Sequence, residues 1–515
     1  MITSIFNDVV GPVMRGASSS HCAAALRIGR LARDLMGGQI TEVLVEYDIH
    51  GSLPTTHTSQ CSDMGLYGGF MGWGAADELL PDAPRILRES GVAITVAYVD
   101  VHDPHPNTYR LTLKNNSETH RMIAISTGGG MIEVQEIDGF KVEIGGGAYT
   151  TLLYADDANA ITDRLEELPG LDEVLVHEEG EGVLIEVRAP AFLEASVLND
   201  LNAKSAKYLS PVLPVASRKG IQVPFTTCEE MFAYDAGQGR PLWELAVDYE
   251  SERGNLSREA VLAQMVEIVQ IVRRSIADGI SGTEYEDRIL GHQCANYKKK
   301  MENGQLLDAG MLNLMTVYVT ALMEVKSSMG VILAAPTAGA CAGFPGATLA
   351  AIDTLGLTDA DAGKAMLAGG LIGLFIATRS TFAAEVSGCQ AEGGSASGMA
   401  AAALAHLGGG TQKQCIAAAS MALQSCLGMI CDPVANRVEV PCLGRNVIAA
   451  SNAITCANMA IADYDPVVTL DEVIETMDRV GKAMPREHRC TGLGGLAITK
   501  SSKDLEFKLC KGCSC

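Results

Sequence analysis

The spacing of apolar residues changes character along the chain. Up to about residue 147, short runs alternate apolar and polar side chains, as in TEVLVEYDIHGSL, VAITVAYVDVH and TYRLTLKN. That period of two marks strands with one buried face. Near the start, AALRIGRLARDLMG repeats its apolar positions every three to four residues, which predicts a helix with one buried side. The run IDGFKVEIGGGAYTTLLYADD closes this region, and the glycines at 145–147 read as a hinge. Beyond it come a strand (TTLLYA), a helix (ANAITDRLEEL), two strands (DEVLVHE, GVLIEVRA), a helix (AFLEASVLNDLNA) and a short apolar run (YLSPVLPVAS). After Gly220 the strands give way to long alanine-rich segments, punctuated by APTAGACAGFPG and LGGG, that read as buried helices. The end, SSKDLEFKLCKGCSC, reads as a short polar tail.

These patterns predict a multidomain chain. Residues 1–147 form an α+β domain. Residues 148–219 form a ferredoxin-like βαββαβ module that looks like the ACT type, with a ligand-free α/β lobe as the equal alternative. Residues 220–500 form a mostly α-helical domain, and 501–515 the tail. Composition refines the picture: aromatics are 5% of the chain and glycines number 54, so the core must be built from small side chains and close backbones. A formal charge of −23 opposes binding to nucleic acid or to an anionic membrane. MITSIFNDVV lacks the basic and apolar regions of a signal peptide. The uncharged run 327–352 is broken by Pro336 and Pro345, and 365–378 falls short of the ~18 apolar residues of a span. A cytoplasmic protein with no membrane partner is expected.

Of fifteen cysteines, twelve lie from Cys294 to Cys515, and in a reducing compartment such clustering points to metal or redox chemistry. The most suggestive are Cys389 in EVSGCQAEGGSASG, Cys431 in GMICDPVANRVEVP and Cys442 in VPCLGRN. Three thiolates on loops of an apolar domain suit an iron–sulfur cluster with one iron left open, as a Lewis acid requires. On spacing alone, the reading as buried small hydrophobes leads. Cys341, Cys415, Cys426, Cys456 and Cys490 are equally available. Thr337, Ala338 and Gly339 in APTAG suit a carboxylate cradle of N–H donors or a simple break between helices. Lys326 and Arg445 suit carboxylate partners or solvent-facing roles. His21 in SSSH and His105 in HPNT are proton-exchange candidates by residue type. Ser18, Ser19, Ser20 and Asn107 could hydrogen-bond a small substrate, although serines here also cap a helix.

GPVMRGASSSHC, HPNTYRLTL, AAPTAGACAGFPG, GCQAEGGSASGMAAAAL, CDPVANRVEVPCLGRN and TGLGGLAIT, in that order, resemble bacterial iron–sulfur-dependent L-serine dehydratase. The resemblance implies a [4Fe-4S] cluster on Cys389, Cys431 and Cys442, a β-type N-terminal domain, an ACT module and a helical catalytic domain. It also implies a homodimer, a pocket containing His21 and His105, and β-elimination of L-serine to pyruvate and ammonia without pyridoxal phosphate. The chain departs from the family in the stretch GSLPTTHTSQCSD, where the family carries a TGKGHGTD-like sequence. Gln60 stands at the family's histidine position and Thr58 at its lysine, and glutamine cannot act as a base. Either His57 substitutes, or the base lies elsewhere, or the substrate differs. Ala17 and Cys22 replace the family's proline and threonine in the first motif. Cys515, with Cys510 and Cys513 before it, is read either as a cap on the open iron or as a surface thiol without a role. A cysteine desulfidase and a non-catalytic amino-acid or redox sensor are the competing functions.

Overall fold

The computed structural model describes residues 2–15, 19–58, 61–180, 182–201, 203–216, 220–286 and 288–512; for residues 19, 20, 55, 128, 195 and 510–512 it describes the backbone alone. The chain divides into two compact units, Ser18–Ile221 and Ile2–Ala17 with Gln222–Cys515. Residues 2–15, ahead of the first unit in sequence, thus group with the second. The strands are β1 (Val13–Arg15), β2 (Glu42–Asp48), β3 (Ala93–Val99), β4 (Thr108–Lys114), β5 (Thr119–Gly128), β6 (Met131–Ile137), β7 (Phe140–Ile144), β8 (Tyr149–Ala155), β9 (Glu173–Glu179), β10 (Gly182–Ala189), β11 (Ser205–Leu209) and β12 (Val331–Leu333).

In the first unit a six-stranded sheet has the order β3-β2-β4-β5-β6-β7, parallel only between β2 and β3. The alternation read from sequence fixes its inner face: Val43 pairs with Leu113 and Val45 with Leu111, and all four are buried. Helix Ser19–Leu35 buries Ile28, Leu31, Ala32 and Leu35 on one side. It crosses helix Ser62–Phe70 at backbone contact, because a side chain at Gly65 would come within 2.1 Å of the Cys22 carbonyl oxygen and one at Gly69 within 2.4 Å of that of Leu26. Glycines four apart share a helix face, and only they admit so close a crossing. A four-stranded antiparallel sheet, β11-β8-β10-β9, carries helices Asn159–Glu166 and Ala195–Asp200 in the order βαββαβ. Its core is Leu153, Ile161, Leu165, Ile185, Val187 and Leu201.

The second unit is helical, as the alanine-rich pattern predicts, except that β1 pairs antiparallel with β12, Met14 opposite Ile332. Four of its helices start with a threonine bonded to the third backbone N–H while the side chain three residues on bonds back: Thr227 with Glu230, Thr358 with Asp361, Thr411 with Gln414 and Thr469 with Glu472. Helix Asp359–Arg379 is long and apolar enough to cross a bilayer by length and composition, yet 78% of its most apolar window is buried inside the protein. It packs through glycines: a side chain at Gly369 would lie 2.6 Å from the Met399 carbonyl oxygen, and one at Gly373 2.2 Å from Val9. Val9 belongs to the buried turn Ile5–Val9, held by Glu250, whose carboxylate accepts the Ser4 hydroxyl at 2.5 Å and the Ile5 N–H at 2.9 Å. The polar tail is a helix, Lys500–Gly512, through the described residues. Thr499 caps it, and Ser502 is buried with its hydroxyl oxygen accepting the Ala435 N–H at 2.8 Å.

Candidate functional site

Cys389, Cys431 and Cys442 are all buried, each brought in by a different backbone device. Cys389 follows Gly388, whose φ of 67° and lack of room for a side chain, with Met484 Sδ at 2.7 Å, demand glycine. The turn Gln390–Gly394, wider than an α-turn, then leads into helix Ser395–Leu407. Gln390 locks this turn: its amide nitrogen donates to Ser387 Oγ at 3.1 Å and the Met477 carbonyl at 2.8 Å, and its oxygen accepts the Gly428 N–H at 2.9 Å. Cys431 sits in a short bridge, its N–H on the His488 carbonyl at 2.8 Å and its carbonyl accepting the Cys490 N–H at 3.0 Å. Cys442 opens helix Cys442–Ile461. One turn on, Asn446 donates to the carbonyls of Cys442 and Gly339, both at 2.8 Å, and accepts the N–H groups of Ala342 and Gly343. The APTAG loop is thereby tied to the start of that helix.

The electrostatics of this pocket are coupled. The Cys389 thiol is lowered to about 7, first by the hydrogen bond it accepts from Cys431 and then, against burial, by the Arg445 guanidinium. Cys431 is pushed up because its thiol is the donor to its neighbours Cys389 and Cys490, and burial raises Cys442. Arg445 is held by Asp432 at 2.5 Å, which also accepts the Leu496 N–H. Lys326 is buried rather than solvent-facing, with Nζ on the Val438 carbonyl. Cys389, Glu392 and Cys431 each place a ligand atom within 4.8 Å of the others. Burial and the adjacent Cys389 raise the Glu392 carboxyl to about 8, and Thr337 Oγ1 donates to it at 2.6 Å. Gly339 is required here, since a side chain would stand 2.7 Å from Glu392 Oε1. Soft sulfur donors buried together beside two cations fit an anionic iron–sulfur group. Ala340, Ala342 and Gly343 give their N–H groups to Thr337 and Asn446. Among the described residues no acceptor meets those of Ala338 and Gly339, so the cradle reduces to that pair.

The candidate histidines His21, His57 and His105 belong to the first unit. His57 follows the short helix Leu53–Thr56; its Nδ1 lies 2.8 Å from Asp63 and its Nε2 2.9 Å from the Tyr98 hydroxyl. His105 Nδ1 accepts the Asn107 N–H at 3.1 Å, and Ser52 donates its hydroxyl to Asn107 Oδ1. The GSL and HPN segments are thus bound together, with the Ser52 N–H on the Pro106 carbonyl at 2.9 Å. Burial lowers His105 and takes His21, at the start of helix Ser19–Leu35, down to about 4. Ser19 and Ser20 open that helix; Ser18, Gln60, Cys513 and Cys515 lie outside the described residues, as does the side chain of Cys510. Sequence reasoning passed over Glu392, Asp63, Asn446 and Asp432. Glu392 had one signal, a carboxylate in an otherwise uncharged glycine and alanine run.

A helical unit that gathers three buried thiols, a buried carboxyl and two cations has the makings of a metal-dependent enzyme. The family model "Serine dehydratase alpha chain" matches residues 237–497, and the chain belongs to that family. A probable L-serine dehydratase alpha chain of Bacillus subtilis is 34% identical over 52% of this chain and 90% of its own length. The L-serine dehydratase alpha chain of Peptoniphilus asaccharolyticus is 33% identical over 54% and 96%. L-serine dehydratase 1 of Escherichia coli is 32% identical over 55% of this chain and 63% of its own.

Proposed function

We propose that this protein dehydrates and deaminates L-serine to pyruvate and ammonia, using a [4Fe-4S] cluster held by Cys389, Cys431 and Cys442. The observation that carries the reading is the convergence of Cys389 and Cys431 with Glu392, with buried Cys442 interacting electrostatically with Cys389 and Glu392, inside the family-matched segment. When bound, such a cluster supplies a Lewis acid for the substrate's hydroxyl, which is otherwise a poor leaving group.

The remaining work falls to the chain. Ala338 and Gly339 offer N–H donors for the substrate carboxylate. Thr337 holds Glu392 by its hydroxyl, and Arg445 and Lys326 balance the charge of the thiolates. Within the first unit the role of base is assigned to His57: Asp63 fixes the imidazole with its proton on Nδ1, and Nε2, which meets the Tyr98 hydroxyl, is the acceptor. Burial pushes both His21 and His105 down, which disfavours their charged forms and leaves His57 as the better candidate for the base. His57 thereby takes the part that Gln60 cannot. The β-type and ACT-like assignments of 1–147 and 148–219, and a cytoplasmic homodimer, are part of the same proposal.

The test is keto-acid formation from L-serine by anaerobically purified protein, repeated after brief exposure to air, with L-cysteine in parallel. Turnover of serine that air abolishes is expected. Sulfide from cysteine with no turnover of serine, or binding without turnover, would replace the reading by the desulfidase or the sensor.

A further inference from the structure

β2 and β3 are parallel neighbours, with Asp48 opposite Val99 and the Ile49 N–H on the Val99 carbonyl at 2.9 Å. Parallel strands in register release their chains side by side at the same end of a sheet, where ligand sites of open sheets commonly form. The Asp48 carboxylate draws the two exits together, accepting the N–H of His50 at 3.2 Å from one and of Asp103 at 2.5 Å from the other. Just outside it, three side chains meet. His50 Nε2 lies 3.0 Å from Asp100 Oδ1, and His102 Nε2 lies 3.4 Å from the same oxygen. The two imidazoles stack with centroids 4.3 Å apart and planes at 13°. A ligand atom from each of the three lies within 4.8 Å of the other two. The other carboxylates nearby are engaged, Asp48 by backbone and Asp103 by Arg110 Nε at 3.0 Å, so Asp100 is the one turned to the imidazoles.

We propose that His50, Asp100 and His102 form a second metal site, for a borderline divalent cation of the zinc class, separate from the cysteine centre. Two imidazole nitrogens and one carboxylate oxygen are the donor set such ions take, with a further position left for water or a small anion. Neutral imidazole coordinates through Nε2 once its ring proton sits on Nδ1, so the proton is relocated within the ring and none need be lost. The side chains are 50%, 63% and 75% exposed, which lets an ion enter and lets the rings splay from their stack without disturbing the core. The charge of −23 favours cation accumulation at the surface. An ion here would bridge the exits of β2 and β3, and so brace the segments that lead to Ser52 and Asn107.

Cobalt(II) is the probe, added anaerobically to cluster-loaded full-length protein and followed by visible absorption and by calorimetry. The site predicts about one equivalent with weak d–d bands and no sulfur-to-cobalt charge transfer. The double variant His50→Asn/His102→Asn loses that equivalent, and Asp100→Asn weakens it by at least about tenfold. Circular dichroism verifies that these exposed substitutions leave the fold intact. Binding that survives the double variant unchanged, a spectrum dominated by thiolate charge transfer, or no uptake at all would overturn the site. The same stoichiometry in a Cys389→Ser background would show that it stands independently of the proposed reaction.

Discussion

Around Cys389 the polar side chains are enclosed and densely bonded: Gln390 has three partners, Asn446 ties two carbonyls and two N–H groups, and Asp432 joins Arg445 to Leu496. Around His50 the side chains stand half-exposed on loops whose strand exits are fixed by backbone bonds, whereas His57 is mostly covered, with Asp63 on one nitrogen and Tyr98 on the other. The first arrangement suits a group that must be shielded from water and oxygen, where each unpaired polar atom would be costly. The exposed loop at His50 suits ion capture, which needs access, and the covered His57 suits proton exchange within a fixed pair. Substitutions should accordingly remove the bound group at the cysteine centre and alter only chemistry at the histidine loops.

The sharpest break is Cys431→Ser. Loss of one thiolate should strip iron and sulfide from the protein and lower activity by more than about a hundredfold, since even outer partners of a metal cost 10–100-fold; iron content and visible absorption check it. Next is His57→Asn, expected to lower kcat by about 10²–10⁴-fold with iron content unchanged, measured by steady-state kinetics on cluster-loaded protein. Iron loss in that variant would erase the contrast. Third is pH. His21 is held near 4 when folded against 6.5 when unfolded, so the unfolded chain binds the extra proton between those values. Stability should therefore fall as pH drops through that window, by about 3 kcal/mol from this residue, and His21→Gln should flatten the slope of denaturant midpoint against pH. The smallest effect is Gln390→Leu, which leaves the Gly428 N–H and the Met477 carbonyl without this partner. It should cost about 2 kcal/mol in denaturant unfolding and reduce cluster retention.

Much of this was legible in the sequence. Period-two runs found β2, β4, β8, β9 and β10, and the alanine and glycine content of 220–500 announced close-packed helices. Cys389, Cys431 and Cys442 stand out by clustering and loop context, but only the motif resemblance lifts them above a reading as buried small hydrophobes, because a buried thiol and a ligand thiol have the same local pattern. What escaped depended on distant partners. β12 is three residues long, too short for periodicity to register, and exists through its pairing with β1. The tail helix depends on Thr499 and on Ser502 buried at Ala435. Glu392 reads as a surface carboxylate until Thr337 and Gly339 are placed beside it. His57 was offered as a substitute base, but nothing local announced Tyr98 at its second nitrogen.

The pairing of β1 with β12 also has a consequence for how the molecule is made. Residues 2–15 are synthesised before Ser18–Ile221, yet Glu250, Val331–Leu333 and Gly373, against which they pack, are synthesised only after the whole of it. The sheet-bearing unit is thus an insertion, complete in sequence and free to fold while its predecessor waits. A gene cut between residues 221 and 222 would leave the helical fragment without its own opening segment, and that fragment would need the short peptide supplied in trans to close its core.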